Sequence, residues 1–152
     1  MNENPNHCIL IVDDDEVDII AIQKSFTCNY CEFISCRTGE EALEVFDHGV
    51  FDCVILDYML PDIKGDELFD QIQSVSSVPV ILITGHGDEE LAVKMLKKGV
   101  ANYLSKENLD LLEDAALEAI KVHATFIKSV KRLQEKLDRS SIINGINYSR
   151  TS

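Results

Sequence analysis

The chain has 152 residues, of which 45% are hydrophobic and 27% charged, and its formal net charge is −13 at pH 7. This length and composition predict one soluble globular domain, whose core needs no disulfide or metal. The negative charge argues against nucleic acid as a direct partner, and no apolar run approaches the roughly 20 residues that span a bilayer. The N-terminal residues lack a signal-peptide pattern, so we expect a cytoplasmic protein.

Strands and helices alternate along the first 120 residues. Short apolar runs predict buried strands at 7–12, 32–36, 53–57, 78–84 and 101–104. Apolar residues at helical spacing predict helices at 16–26, from about 39, at 66–75, at 89–98 and from about 108. Thr38 and Glu41 have the spacing of a capping box at the start of the second helix. The alternation favours a parallel sheet with helices on both faces.

Polar side chains stand at the carboxyl ends of the predicted strands. Asp13 and Asp14 follow the first strand, Asp57 ends the third, Thr84 ends the fourth, and Lys106 follows the fifth. In open α/β sheets the carboxyl ends of the strands line the ligand crevice. Taken alone, Asp57 fits a turn residue equally well, and the acidic run after the first strand fits a helix cap. Their occurrence at successive strand ends favours a functional site.

This set of side chains suits one kind of chemistry. Three carboxylates in one cleft repel one another, and a divalent cation relieves that repulsion. Oxygen ligands with positions left for water and phosphate suit Mg²⁺ better than zinc. An aspartate nucleophile with a metal, the Lys106 ammonium and the Thr84 hydroxyl is equipped to form an aspartyl phosphate.

Four segments resemble one known family. They are Ile9–Asp14, Leu56–Pro61 followed by Gly65, Ile81–Gly85 and Tyr103–Lys106. In order and spacing they are similar to the receiver domain of response regulators, the CheY-like family of two-component signalling, over residues 7 to about 120. The resemblance implies a flavodoxin-like (βα)5 fold, which is a doubly wound five-stranded parallel sheet of order 2-1-3-4-5. An extended C-terminal helix would follow it.

The resemblance also implies the roles of the acidic residues. Asp57 would be the phosphoacceptor, charged by a histidine kinase or a phosphotransfer protein. Asp13 and Asp14 would hold Mg²⁺ together with Asp57 and the backbone carbonyl of Met59. The chain would then be a phosphorylation-dependent signalling switch rather than an enzyme that turns over a separate substrate.

Three further residues would respond to the phosphoryl group. Lys106 would pair with its oxygens, and Thr84 and Tyr103 would be the switch pair. A strand-end aromatic packed on its neighbours is the alternative interpretation of Tyr103. The family usually has proline directly after the lysine, often in cis, whereas this chain has Glu107. A cis bond without proline costs about 3–4 kcal/mol, so we expect a trans bond here and an altered reach of Lys106.

Two alternatives of other classes remain open. The first is an aspartyl-nucleophile phosphatase on a related fold; such enzymes usually carry a general acid two residues after the nucleophile, where this chain has Met59. The second is an interaction module that works without phosphorylation, which failure to bind Mg²⁺ would support.

The chain beyond residue 120 differs in charge and pattern. Residues 1–120 carry 25 acidic and 7 basic side chains, whereas residues 121–152 carry 2 and 7. Residues with alternating gaps of three and four predict a heptad seam through residue 137; they are Leu109, Leu112, Ala116, Ala119, His123, Phe126, Val130, Leu133 and Leu137. We therefore predict a receiver domain at 1–120, a coiled-coil extension at 121–139 that can join two copies, and at 140–152 a flexible tail or the start of an output module.

The five cysteines fit reduced thiols. Cys28 and Cys31 have the two-residue gap of redox and metal motifs, but no second Cys or His pair follows at zinc spacing. A functional role for the pair is the less favoured interpretation.

Overall fold

The computed structural model describes the backbone of residues 6–151 and the side chains of residues 6–144. Within that range a parallel sheet contains β1 His7–Val12, β2 Cys31–Cys36, β3 Cys53–Asp57, β4 Val80–Thr84 and β5 Asn102–Ser105. The helices are α1 Glu16–Lys24, α2 Gly39–His48, α3 Gly65–Gln73, α4 Glu89–Lys98 and α5 Leu112–Thr151. A 3₁₀-helix, Lys106–Leu111, joins β5 to α5.

The order of the strands is β2-β1-β3-β4-β5, and all neighbours are parallel, which confirms the predicted fold. The reversal of strand order falls between β1 and β3, where open α/β sheets bind ligands. Val12 pairs with Leu56 in the register of these two strands. Asp13 and Asp57, the residues directly after this pair, therefore lie level at the carboxyl edge of the sheet.

Side chains that alternate along the strands form two buried layers. One layer packs against α2, α3 and α4, and its strand residues are Leu10, Val12, Val54, Leu56, Val80 and Leu82. The other packs against α1 and the start of α5, and its strand residues are Ile9, Ile11, Cys53, Ile55, Ile81 and Ile83. Because both faces are covered, the central strands are apolar along their length, which explains the continuous runs in the sequence.

Local hydrogen bonds fix the ends of the helices. The Thr38 side chain accepts from the backbone N–H of Glu41 at 3.1 Å, as the predicted cap requires. Glu41 itself accepts from the backbone of Arg37 at 3.3 Å, one residue before the cap residue that a capping box would use. Gly99 ends α4 with φ of 112°, a left-handed conformation that favours glycine.

Several predicted boundaries were wrong by one or two residues. The strand β4 begins at Val80 because Pro79 has no N–H to pair, although its carbonyl accepts from Val54 at 3.0 Å. Helix α1 ends at Lys24 instead of residue 26, and the side chain of Ser25 donates to a carbonyl of the last turn at 2.6 Å. Helix α3 also lies earlier than predicted, at 65–73.

The predicted helix from residue 108 begins instead as the 3₁₀-helix, because Asn108 has non-helical torsions, φ −115° and ψ 40°. The first turns of α5 belong to the core, where Leu112, Ala116 and Ile120 are buried. The first residues of the heptad seam, such as Leu112 and Ala116, are therefore buried against the sheet. The later ones, from Phe126 to Leu137, are exposed. The chain divides into two compact units between Ile120 and Lys121.

At 140–152, where we predicted a flexible tail or the start of an output module, the backbone of α5 continues to Thr151. This stretch contains no proline, so nothing in its backbone forces the helix to stop. None of the helices in the described range combines the length and apolarity that a membrane crossing needs.

Gly65 lies where the chain leaves the loop after β3 and enters α3. A Cβ atom on this residue would lie 2.7 Å from Tyr58 Cα and 3.1 Å from the Asp57 carbonyl oxygen. Backbone atoms cannot yield as side chains do, so Gly65→Ala is expected to lower the free energy of unfolding by about 1–3 kcal/mol. Denaturant titration measures the change. Gly85→Ala is the control, since no atom lies within 4 Å of its added Cβ; equal stability of both variants would contradict the prediction.

The sulfurs of Cys28, in the loop before β2, and Cys31, the first residue of β2, lie 3.0 Å apart and are half-buried. Burial, followed by the hydrogen bond with Cys28, raises the pKa of Cys31 to about 12, so that Cys31 keeps its proton at neutral pH. This thiol pair stands at the amino end of β2, at the sheet edge opposite Asp57.

Candidate functional site at the carboxyl edge of the sheet

Three carboxylates meet where β1 and β3 end. Asp13 is fully buried, Asp57 is buried, and Asp14 is exposed. One oxygen from each lies within 4.8 Å of the others, and in the described residues this is the group of acidic, Cys or His side chains suited to hold a metal ion. The structure thus brings together the three acids that the strand-end pattern predicted.

Burial has a clear electrostatic consequence in this cluster. It raises the pKa of Asp13 above its ordinary value. Burial, and then the charge of Asp13, also raises the pKa of Asp57. The ionised pair is therefore less stable here than it would be in water, and the cluster favours a cation.

Lys106 supplies a positive charge to this cluster. Its Nζ donates to Asp57 Oδ2 at 3.1 Å and lies 2.9 Å from Asp13 Oδ2. The contact with Asp13 is an ion pair without hydrogen-bond alignment, because Asp13 Oδ2 has no hydrogen-bond partner among the described residues. The altered loop after Lys106 therefore still lets its side chain reach Asp57.

Asp18 is a site residue that the sequence interpretation missed. It lies in the first turn of α1 and accepts from Lys106 Nζ at 2.7 Å, the shortest of the three contacts. Burial alone would lower the pKa of Lys106, but its contact with Asp18, ahead of that with Asp13, raises the pKa above its ordinary value. In the sequence, the one available signal was the missing proline after Lys106, which left open how that side chain is held.

The loop between β3 and α3 is tied to the site and to a neighbouring helix. The backbone N–H of Met59 donates to Asp57 Oδ1 at 3.3 Å, and the Met59 side chain is exposed. Asp62, another residue that we did not predict, accepts from the backbone N–H groups of Gly39 and Glu40 at 2.9 and 3.0 Å. These two bonds, in that order, lower the pKa of Asp62. The carboxylate thus caps α2 from outside that helix.

Thr84 and Tyr103 lie on the neighbouring strands β4 and β5. The Thr84 hydroxyl donates to the His86 carbonyl at 3.2 Å, so in this state it bonds to its own loop. The Tyr103 ring packs on the buried layer beneath α4, and its hydroxyl is buried without an aligned hydrogen-bond partner. Burial raises the pKa of Tyr103. The Asp88 backbone and the Thr84 side chain lie near this hydroxyl and act in the opposite direction, lowering its pKa.

The residues of the cluster fit Mg²⁺. The ligand atoms are carboxylate oxygens, which are the donors that this hard cation prefers. Asp13 Oδ2 is buried and makes no aligned hydrogen bond, and its close contact, the Lys106 ammonium at 2.9 Å, is itself a cation. Asp14 is exposed, so the cluster is open to solvent on one side.

Comparison with known families gives a match over most of the chain. The profile of the response regulator receiver domain matches residues 9–117. The transcriptional regulatory protein GlrR of Escherichia coli is 32% identical over 121 residues, which are 79% of this chain and 26% of that protein. A probable cyclic di-GMP phosphodiesterase of Vibrio cholerae is 27% identical over 153 residues, 98% of this chain and 32% of that protein. The chain spans half or less of the curated relatives it matches.

Solved structures agree with that match. A receiver domain from Clostridium thermocellum superposes with a TM-score of 0.72 at 27% identity, covering 79% of this chain and 98% of that one. The receiver domain of a Luxo repressor protein from Vibrio parahaemolyticus gives 0.74 at 28% identity, covering 82% and 97%. The sequence profile, the sheet order and the acidic cluster at the strand ends agree, and the chain belongs to the response regulator receiver domain family of two-component signalling.

Proposed function

We propose that this chain is a phosphoryl-accepting switch whose phosphorylation site is Asp57. The observation that carries the proposal is the buried Asp57 carboxylate, with Asp13 beside it and Lys106 Nζ at 3.1 Å. A carboxylate flanked by a fixed cation and further acids is arranged for attack on phosphorus, since charge on the transferred group is offset where it develops. The phosphatase alternative lacks this support, because the side chain of Met59 offers no general acid.

The residues divide the work of the transfer. An oxygen of Asp57 forms a bond to phosphorus while the bond from phosphorus to the donor's imidazole nitrogen breaks, and the electron pair of that bond stays on the nitrogen. Lys106 pairs with the phosphoryl oxygens. Asp13, Asp14 and the Met59 carbonyl would hold Mg²⁺ beside Asp57; the cation supplies charge neutralisation at the phosphoryl oxygens. A histidine kinase or a phosphotransfer protein is the proposed donor.

The switch pair would respond after the transfer. To bond to a phosphoryl oxygen, the Thr84 hydroxyl must leave the His86 carbonyl. That movement changes the space beside Tyr103, whose buried hydroxyl has no aligned partner. The proposed readout is therefore a change at β4 and β5, which carry this pair, and at the neighbouring helix α4.

Labelling with a small phosphodonor tests the proposal. Incubation with acetyl phosphate and Mg²⁺ is expected to add one phosphoryl group. When EDTA is present from the start and removes the Mg²⁺, no phosphoryl group should be added. Peptide mapping after reduction of the acyl phosphate should place it on Asp57. Absence of labelling with Mg²⁺ and acetyl phosphate, or labelling on another residue, would overturn the proposal.

We further propose that the second unit joins two copies of the chain through α5. Phe126, Val130, Leu133 and Leu137 continue the heptad spacing and are 55%, 44%, 61% and 63% exposed. The stripe is self-complementary, because a second copy presents the same residues, and a β-branched residue at one seam position with leucine at the next favours two parallel strands. We also propose that the signal passes through this helix to an output domain or protein.

Sedimentation equilibrium tests this association. Wild type is expected to be dimeric and Phe126→Glu monomeric, because a carboxylate in the seam is buried without a partner. Thr125→Glu is the matched control, since it places the same residue on the adjacent, outward position and should leave the dimer intact. A wild-type protein that stays monomeric at high concentration, phosphorylated or not, would refute the proposal.

A further inference from the structure

Lys106 reaches the acidic cluster from the start of the 3₁₀-helix that follows β5. It is the first residue of the 3₁₀-helix, and Glu107 follows it where the family usually has proline. The peptide bonds of the described residues are all trans. The backbone is fixed in part by the Ser105 side chain, which accepts from Glu107 N at 3.2 Å. The position of the ammonium then depends on the side chains around it.

Three carboxylates share that ammonium, and they are not equivalent. Asp13 and Asp57 belong to the group that can hold a metal ion, whereas Asp18 lies outside that group. Asp18 comes from another element, α1, and makes the shortest contact, 2.7 Å. Its side chain is one-third exposed and that of Lys106 is 18% exposed, so the pair is partly shielded from solvent.

The contacts set up a competition between two cations. Lys106 Nζ lies against Asp13 Oδ2 and Asp57 Oδ2, and each of these residues is also needed by Mg²⁺. A divalent cation and an ammonium cannot occupy the same carboxylate oxygens in a small cluster without strong repulsion. For the metal to bind, the ammonium must move away from these atoms while staying close enough to meet the phosphoryl group.

We propose that Asp18 is a positioning residue, which holds Lys106 beside the cluster while Asp13 and Asp57 exchange the ammonium for Mg²⁺. The inference rests on the proposed function and names a residue within the same site. Without Asp18, the remaining partners of the ammonium are the metal-binding carboxylates themselves, so Mg²⁺ must displace it into solvent.

A double-mutant cycle on Mg²⁺ affinity separates this role from a simple charge effect. Calorimetry would measure the Kd of Mg²⁺ for wild type, Asp18→Asn, Lys106→Met and the double variant. Asp18→Asn is expected to weaken Mg²⁺ binding by about fivefold to tenfold in the wild-type background, the size of a coupling between contacting charged residues. In the Lys106→Met background the same substitution is expected to change the Kd by less than about twofold, because no ammonium remains to be held.

A control variant guards against a change in general charge or folding. Glu16→Gln removes an exposed acid from the same turn of α1, where it pairs with Arg37 at 3.0 Å, and should leave the Kd of Mg²⁺ within about twofold. Circular dichroism would verify that each variant is folded. Equal weakening by Asp18→Asn in both backgrounds would show a plain loss of negative potential and overturn the inference, as would an unchanged Kd in the single variant.

The outcomes for the inference and for the proposed function are distinguishable. If the cycle shows the expected coupling but Asp57 takes no phosphoryl group, the switch function fails and the role of Asp18 in cation exchange stands. If Asp57 is labelled but the Kd of Mg²⁺ shows no coupling between Asp18 and Lys106, the positioning role fails and the switch function stands.

Discussion

Asp57→Asn is expected to remove all detectable labelling by acetyl phosphate and Mg²⁺. An amide oxygen carries no negative charge, so it neither attacks phosphorus nor binds the cation as a carboxylate does. Intact-mass spectrometry of both proteins measures the loss. Asp66→Asn is the control, because this acid lies at the start of α3 and pairs with Lys94 at 3.6 Å. Equal labelling of wild type and Asp57→Asn would rule out Asp57 as the phosphoacceptor.

The same variant is expected to stabilise the Mg²⁺-free protein at neutral pH. The pKa of Asp57 is raised in the fold, chiefly by burial, so the ionised carboxylate destabilises the native state at every pH above that value. As the pH falls through the folded pKa, protonation removes this cost. The thermal unfolding midpoint of Asp57→Asn should therefore exceed that of wild type at pH 7, by about 2–4 °C for each kcal/mol of added unfolding free energy. This difference in midpoint should shrink on acidification. A difference that grows on acidification would contradict this sign.

Magnesium should stabilise wild type more than it stabilises Asp57→Asn. A ligand that binds only the native state adds about 2.7 kcal/mol at 100 times its Kd. Wild type presents three carboxylates to the cation, and the variant presents two. Thermal melts with and without Mg²⁺ measure the gain, which should be larger for wild type. An equal gain in both proteins would place the cation elsewhere.

Lys106→Met is expected to slow labelling of Asp57 by about 100-fold, the effect of losing one fixed charge partner of a developing anion. It should also destabilise the Mg²⁺-free protein at pH 7 by up to about 3 kcal/mol, because the acids lose the cation that pairs with them. This sign is opposite to that of Asp57→Asn, and the loss should shrink as the carboxylates protonate at lower pH. Rate measurements by mass spectrometry and denaturant titration measure the two effects.

The matched control for Lys106 is Lys94→Met. Lys94 is 58% exposed and contacts Asp66 at 3.6 Å, so its removal should change the free energy of unfolding by no more than about 1 kcal/mol and leave labelling unchanged. Labelling of Lys106→Met at the wild-type rate would contradict the assigned role of the ammonium.

The sheet was predictable because its strands are buried on both faces. The apolar run before Asp57 occurs because alternate side chains of this strand enter two different buried layers. A short continuous apolar run of this kind predicts a buried strand. The acids at the strand ends followed from the same pattern, since parallel strands place their carboxyl ends at one edge. Boundaries were less predictable, because they depend on single residues such as Pro79 and Asn108 whose effect is local.

Asp18 and Asp62 could not be found in this way. Asp18 stands on a helix face, where an acid is ordinarily solvated, and its partner Lys106 is 88 positions away. Asp62 lies in a loop and caps α2, whose own Thr38 already accounts for the helix start in the sequence. Both contacts arise from how elements pack together, and nothing in the local pattern of charge or hydrophobicity encodes that packing.

The cap that Asp62 forms makes the start of α2 a remote reporter of the loop beside Asp57. The amides of Gly39 and Glu40 have their acceptors on that loop, so each opening of the loop exposes them to solvent. Amide exchange follows such openings residue by residue. The exchange of these two backbone amides, on a helix that carries no proposed site residue, would therefore record how often the loop beside Asp57 opens, before and after incubation with acetyl phosphate.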